Sequence, residues 1–537
     1  MSAPVLEPVR LAGLDVTFDT RLVLAGIDLL APPGRRIGLV GENGSGKSTL
    51  LRAIAGTLPE RAVVSGTVEA PADRVMLGQE PPFADGETIA AVLARTLAPL
   101  RRMVDEVERL SGDLDDPVTA TAYAESLDLA VAHDAWDADR RAALAAEQLG
   151  LGALDPERLI GTLSGGQRTR LALATLMTTR PACLLLDEPT NHLDDDAIDV
   201  LTRFLRDLPG VVLLASHDRV LLDDVCTDLF DLDPSELGTD GSGGRRFGGG
   251  WSAYEERRAA SRRRWEETYA AQQDELDRLR GASRIGTSAI AHNRGPRDND
   301  RYSYSFHGAN VDRALSRRKK DAQRRLEVAE REQVRKPRPP LRLSTRLTGD
   351  GARGRVVQAR DLEVAGRLCL ARLDVEAGEH LLVTGPNGSG KSTLLGVLAG
   401  RVEATGGSID VAAGRVAELA QDVRFDRPGR SARATYDALV GEERAAWRPL
   451  RDLGLLPADQ HAVAVGRLSV GQRRRLGLAI AIAGEPDLLL LDEPTNHLSL
   501  ALAGELEEAL ESTAGTVVLA SHDRWLRRSW SGHSIRL

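Results

Sequence analysis

The chain has 537 residues, of which 42% are hydrophobic, 28% charged and only 4% aromatic, with a net charge of −9. That balance describes a globular protein whose cores are filled by Leu, Val and Ala, and its acidity argues against a chain that coats nucleic acid along its whole length. Cys183, Cys226 and Cys369 show neither pairing nor metal-ligand spacing, Met1–Arg10 lacks a basic stretch followed by an apolar run, and no long uncharged apolar segment occurs, so disulfides, export and a bilayer span are all unexpected.

In chain order, Arg36–Val40 reads as a buried strand running into Gly41-Glu42-Asn43-Gly44-Ser45-Gly46-Lys47-Ser48-Thr49, and Ser48–Ala55 reads as the helix that follows. Gln79 comes next, then helix-prone stretches through Ile89–Leu110 and Thr119–Ala146. Leu163-Ser164-Gly165-Gly166-Gln167 precedes an apolar run, Ala182–Leu186, that ends in Asp187 and Glu188 and continues Pro-Thr-Asn-His-Leu. A second run, Val211–Ala215, leads to Ser216-His217-Asp218. Short apolar runs ending in an acid are expected of interior parallel strands.

Gly238–Gly250 is glycine-rich and reads as a connector. Beyond it, Trp265, Tyr269, Gln272, Leu276 and Leu279 recur at steps of four and three, which places them on one stripe of a long helix. Val311, Leu315, Ala322, Leu326 and Ala329 make a similar stripe before Lys336-Pro-Arg-Pro-Pro340, where proline stops the helix. Two such helices pair as an antiparallel hairpin, residues 252–281 reaching roughly 45 Å if helical throughout. The tip, about 282–310, carries His292, Arg294, Arg297, Arg301, Tyr302, Tyr304 and Phe306. Residues 251–340 hold 22 Lys and Arg against 14 Asp and Glu, a local charge of +8 that leaves −17 on the rest. A basic segment between acidic domains is the footprint expected for contact with a polyanion.

The first pattern then returns. His380–Thr384 leads into Gly385-Pro386-Asn387-Gly388-Ser389-Gly390-Lys391-Ser392-Thr393, followed by Gln421, Leu468-Ser469-Val470-Gly471-Gln472, Leu488–Leu491 with Asp492 and Glu493, and Ser521-His522-Asp523 after Val517–Ala520. In each copy the signature serine precedes the aspartate by 23 positions, and the aspartate precedes its histidine by 30. Fixed offsets over such lengths mean duplicated domains. The predicted architecture is α/β, two P-loop domains with mostly parallel sheets and helical subdomains: residues 5–237 with a helical arm at about 85–150, a glycine-rich segment and hairpin over 238–340, and residues 354–537.

The chemistry these residues suit is handling of MgATP. In G-x-x-x-x-G-K-S the glycines let main-chain N–H groups wrap the phosphates, Lys47 and Lys391 reach the β and γ phosphates, and Ser48 and Ser392 hold Mg2+. The helix that begins at each serine adds its positive end. Asp187 and Asp492 are positioned to orient the metal, Glu188 and Glu493 to polarise the attacking water, and His217 and His522 to sense the γ phosphate, because phosphoryl transfer needs positioning and charge neutralisation above all.

These motifs resemble the ATP-binding cassette family over about four fifths of the chain. The resemblance implies two cassettes clamping two ATP molecules head to tail within one monomer, so that Lys47 faces Ser469–Gln472 and Lys391 faces Ser164–Gln167. Gln79 and Gln421 would reach the metal, and Phe18 would either stack on adenine in the first site or serve as an ordinary core phenylalanine on a strand. Val470 departs from the family's glycine, so unequal sites are expected. Glu-Pro-Thr-Asn-His-Leu in both copies, Phe247–Tyr254 leading into the linker, and the basic hairpin resemble the ABC-F branch, cytoplasmic proteins that act on ribosomes. That likeness implies ATP-driven closure on the ribosomal E site, a linker reaching ribosomal RNA and P-site tRNA near the peptidyl-transferase centre, and release on hydrolysis. Protection from macrolide, lincosamide or streptogramin antibiotics is the leading expectation. A housekeeping translation factor is the alternative, and a fused ATPase pair serving a separate permease is the alternative of another class.

Overall fold

In this computed structural model the described residues are 7–41, 44–78, 81–191, 193–232, 243–284, 317, 320–334, 336–337, 354–386, 388–495, 498, 500–511, 513 and 515–537. They divide into two compact units, one within Ala253–Arg338 and one within Met1–Asp233, Ser242–Ser252 and Pro339–Leu537.

Runs of aliphatic residues with no polar side chain until the last position make the centre of each cassette. The first cassette begins with strands β1 (Val9–Phe18), β2 (Arg21–Ala31) and β3 (Arg36–Val40), helix α1 (Lys47–Ala55), and strands β4 (Ala62–Glu69) and β5 (Arg74–Leu77). Helices α2 (Ile89–Leu110), α3 (Pro117–Ala132) and α4 (Ala138–Gln148) form the arm, and α5 (Gly165–Thr179) follows. Then come β6 (Cys183–Asp187), α6 (Asp195–Asp207), β7 (Val211–Ala215), α7 (Arg219–Val225), β8 (Asp228–Asp231) and β9 (Arg245–Gly248). Strand order is β5-β6-β7-β3-β8-β9, all parallel except the edge strand β9. Every residue of β6 and β7 is buried, as expected of strands covered on both faces. The antiparallel sheet β2-β1-β4 is separate and packs its apolar face into the same core, through Val9, Leu11, Leu14 and Val16.

Helices α8 (Trp251–Arg284) and α9 (320–331) form the linker. They run antiparallel: the Val334 N–H donates to Gln272 Oε1 at 2.9 Å, and Arg280 pairs with Glu330 at 3.2 Å. Leu276 is buried, while Trp265, Tyr269, Gln272 and Leu279 are half-buried on the same stripe. The tip residues Arg294–Phe306, with Val311 and Leu315, lie outside the described residues.

The second cassette repeats the plan with β10 (Arg355–Val364), β11 (Leu368–Glu376), β12 (His380–Thr384), α10 (Lys391–Leu398), β13 (Gly406–Val411) and β14 (Val416–Leu419). Its helical part is short, α11 (Ala432–Val440) and α12 (Glu442–Trp447), before α13 (Val470–Ala483). It closes with β15 (Leu488–Asp492), α14 (Leu500–Glu511), β16 (Thr516–Ala520), α15 (Arg524–Ser529) and β17 (His533–Arg536). The order β14-β15-β16-β12-β17 is parallel throughout.

The arm departs in one place from the single helix-prone stretch Thr119–Ala146. Asp116 caps α3 and Pro117 occupies its first position, then the chain turns at Asp134, whose φ of 49° is left-handed, before α4 starts. Buried His133 anchors that turn by bonding its Nδ1 to the Thr179 carbonyl at 3.0 Å. A long-range contact of this kind leaves no periodic trace in sequence.

Candidate nucleotide sites

Each glycine loop joins a central strand to a helix, so its N–H groups are set at a helix start. Gly46 and Gly390 cap α1 and α10 with φ of 102° and 99°, a conformation that side chains rarely adopt. A Cβ at Gly46 would lie 2.5 Å from Leu24 Cδ2, and one at Gly390 would lie 2.5 Å from the Arg367 carbonyl. The backbone there is tightly bent and closely packed, which is what a phosphate cradle requires. The loop lysines fold over their own turns: Lys47 Nζ is 2.9 Å from the Gly41 carbonyl and Lys391 Nζ is 2.8 Å from that of Gly385. Glu42, Asn43, Gln79 and Asn387 lie outside the described residues.

The strand that ends in two acids brings them under the loop. Ser48 Oγ donates to Asp187 Oδ1 at 3.0 Å, and Ser392 bonds Asp492 in the same way. Asp187 is 2% exposed and Asp492 4%. The second oxygen of each, Asp187 Oδ2 and Asp492 Oδ1, is buried with no hydrogen-bond partner among the described residues. A buried carboxylate oxygen left unpaired beside a hydroxyl is a strong acceptor without a donor, and a hard cation fits it. No group of three His, Cys, Asp or Glu able to hold a metal occurs among the described residues. Mg2+ is a hard cation, and its shell takes water and phosphate oxygens besides protein ones.

Glu188 and Glu493 follow directly, in left-handed conformations with φ of 54° and 50°, which cost on the order of 1–3 kcal/mol each. Main-chain bonds to the neighbouring strand hold both turns, Glu188 N to Ala215 O and Glu493 N to Ala520 O, each 2.8 Å. The strained turn aims each side chain at its histidine segment. Glu188 Oε2 accepts from the His217 N–H at 3.1 Å, and Oε1 is 3.4 Å from the ring Nε2. Glu493 Oε1 accepts from the His522 N–H at 3.1 Å and lies 2.7 Å from ring Nδ1, while Oε2 takes the Ser521 hydroxyl at 3.3 Å. Burial pushes the Glu188 carboxyl up to about 7, against the His217 N–H and Lys47, which pull it down. The Glu493 carboxylate raises the pKa of His522.

The signature residues act first as helix caps. Ser164 Oγ accepts from Gln167 N at 3.3 Å while Gln167 Oε1 accepts from Ser164 N at 3.0 Å, and Ser469 with Gln472 forms the same reciprocal pair at 3.2 and 2.9 Å. Gly165 and Gly166, and Val470 and Gly471, form the first positions of α5 and α13. Val470 is 55% exposed, and open space surrounds a Cβ built at Gly165. The valine therefore fits its own helix without strain and can matter only to what approaches that helix end. Thr49 and Thr393 lie in the first turns of α1 and α10, and Phe18, the last residue of β1, packs partly buried against the core.

Within each cassette the loop lysine and serine, the strand acids and the histidine segment thus converge, while the signature serine stands on its own helix. The contacts that join the cassettes were missed by sequence reasoning. Arg219, 1% exposed, pairs through both terminal nitrogens with Glu507, reaches Asp523 at 3.1 Å and lies 5.5 Å from the centre of the Trp525 ring. Arg524 answers from the other cassette with Asp199 at 2.7 Å, and Arg527 with Asp195 at 2.8 Å. Ser-His-Asp is followed by arginine in both copies, and that shared fourth residue was the available signal.

Fold and sites together define a tandem-cassette P-loop ATPase. The family model described as "ABC transporter" matches residues 24–191 and again 370–496. Among curated proteins, the "Tylosin resistance ATP-binding protein TlrC" of Streptomyces fradiae is 37% identical over 98% of this chain and 97% of its own length. The "ABC transporter F family member 5" of Arabidopsis thaliana is 29% identical over 96% of this chain and 73% of its own length. Among solved structures, "RNase-L Inhibitor" shares the fold with a TM-score of 0.55 at 18% identity, over 95% of this chain and 84% of that one. The chain belongs to the ATP-binding cassette family, in its ABC-F branch, and it binds and hydrolyses ATP. No helix among the described residues is long and apolar enough to cross a membrane.

Proposed function

We propose that this protein is a cytoplasmic, ATP-dependent ribosome-binding factor that protects the peptidyl-transferase region and exit tunnel from macrolide, lincosamide or streptogramin antibiotics. The observation that carries this reading is the end-to-end likeness to a relative named for tylosin resistance, spanning both cassettes and the linker between them. The chemistry of the linker supports it, since a hairpin with a local charge of +8 suits RNA, where phosphates take Lys and Arg and unpaired bases stack on rings.

The residues of each site take defined parts. Lys47 and Lys391 neutralise and orient the β and γ phosphates, and Ser48 with Asp187, or Ser392 with Asp492, provide the oxygen ligands for Mg2+, with Gln79 and Gln421 completing that side. Mg2+, when bound, would supply neutralisation of the phosphate charge that develops during transfer. Glu188 and Glu493 take the proton side of the attacking water, and His217 and His522 hold those carboxylates through the contacts above. Ser164–Gln167 and Ser469–Gln472 offer helix N-termini to the phosphates of the opposite cassette. Closure on ATP then seats the linker in the ribosome, and hydrolysis releases it.

Expression in a macrolide-sensitive bacterium tests the reading. The intact chain is expected to raise the inhibitory concentration of tylosin or of a lincosamide or streptogramin at least severalfold, and Glu188→Gln/Glu493→Gln to abolish the gain. Unchanged susceptibility to all three classes, with ribosome binding retained, would favour the housekeeping translation factor.

A further inference from the structure

The two copies of the catalytic machinery differ at one buried position that their shared motifs do not include. Arg474 stands five positions after the Ser469 cap, early in α13, and is only 3% exposed. Its Nη1 donates to the Gln421 carbonyl at 2.8 Å, and its Nη2 donates to the main-chain carbonyls of Asp492 and Glu493. One guanidinium therefore ties together three segments: the signature helix, the stretch at Gln421, and the turn that carries the second cassette's acids. The corresponding position in the first cassette, five after Ser164, is Thr169. Its hydroxyl turns back to the Gly165 carbonyl of its own helix at 3.1 Å.

A planar fork of five N–H donors can hold several acceptors at once in fixed geometry, which neither an ammonium nor a hydroxyl can do. The carbonyls it grips belong to a turn in which Glu493 is left-handed, and such a conformation persists only where its surroundings hold it. Burial lowers the pKa of Arg474, and the carboxylates of Asp492 and Glu493 counter only part of that effect.

We propose that Arg474 is a positioning residue for hydrolysis by the second cassette: it locks the Glu493 turn and the Gln421 segment to α13, so that movement of the signature helix is passed to the acid of its own cassette. Thr169, in the matching place, makes no such linkage in the first cassette among the described residues, and the two acids respond differently to signature-helix movement. A small motion of the helix is enough, because a packed guanidinium with three fixed acceptors transmits displacement rather than absorbing it. The proposal rests on Glu493 as the acid that polarises water.

The test is single-turnover ATP hydrolysis by the full chain, with nucleotide affinity and thermal melting measured alongside. Arg474→Thr installs the first cassette's residue, and Arg474→Lys keeps the charge without the fork, which preserves folding if threonine does not. Both are expected to slow the hydrolysis that depends on Glu493 about tenfold, read on the Glu188→Gln background, with MgATP affinity held within about twofold. The loss should be absent on a Glu493→Gln background and present on a Glu188→Gln background. Wild-type turnover in both variants, or slowing that is the same on both backgrounds, would overturn the proposal while leaving Glu493 in place. Loss of affinity and melting temperature in step with turnover would reduce Arg474 to a packing residue and overturn it equally. If Glu493→Gln alone leaves turnover unchanged, the reading of Glu493 fails first and the proposal falls with it.

Discussion

The first and second nucleotide sites share their loop lysine and serine, strand acids and histidine in the same order, but their surroundings differ. At the first, Glu188 takes a main-chain N–H from His217 and sits 3.4 Å from the ring; at the second, Glu493 binds the His522 ring at 2.7 Å and the Ser521 hydroxyl as well. Gly165 opens the first signature helix and Val470 the second. Duplication has kept the loop lysine and serine, the strand acids and the histidine in both copies and let the contacts around them diverge. If the sites work unequally, as proposed, these supporting contacts are where the inequality would arise, and each difference can be tried separately.

The largest effect is expected from the acids. Glu188→Gln or Glu493→Gln should slow hydrolysis at its own site about 10²-fold or more, and equal residual rates for the two variants would break the comparison. The pH profile separates them further. Burial holds the Glu188 carboxyl up to about 7, so below that value it is protonated and cannot take a proton from water. Turnover by the Glu493→Gln variant, which relies on Glu188, should fall as pH drops through about 7, and a flat profile there would contradict the assignment.

The next largest effect concerns the joint between the cassettes. Arg219→Ala removes the buried guanidinium that Glu507 and Asp523 share and is expected to cost about 3–5 kcal/mol, read as a lower melting temperature. Arg524→Ala, at a more open pair with Asp199, should cost about 1 kcal/mol or less. Similar shifts for both would deny Arg219 its special place. The smallest effect is expected from Val470→Gly, which removes a side chain only from the helix end that the first site is expected to face. Hydrolysis that depends on Glu188 should rise by no more than about threefold, and that which depends on Glu493 should stay the same.

Much of this organisation was legible in the sequence because it is local. A glycine loop between strand and helix, an acid at the end of an apolar strand and a capping serine all act through neighbours in the chain, and their fixed spacing in two copies revealed the duplication. What stayed hidden depends on residues brought together from afar. Arg219 meets Glu507, Arg474 meets Gln421, and the Asp134 turn is pinned by His133 on Thr179; no periodicity marks such pairs. The antiparallel sheet β2-β1-β4 also went unread, since its exposed strand β4 carries little apolar patterning.

Co-sedimentation of Glu188→Gln/Glu493→Gln with bacterial ribosomes tests the central claim, that paired ATP closes the cassettes and seats the basic linker in ribosomal RNA. With ATP the variant should pellet with ribosomes, and the complex should weaken steeply with added salt and when residues 285–310 are deleted. A protein that binds ATP yet stays in the supernatant, or pellets equally without nucleotide and without that segment, would contradict the account.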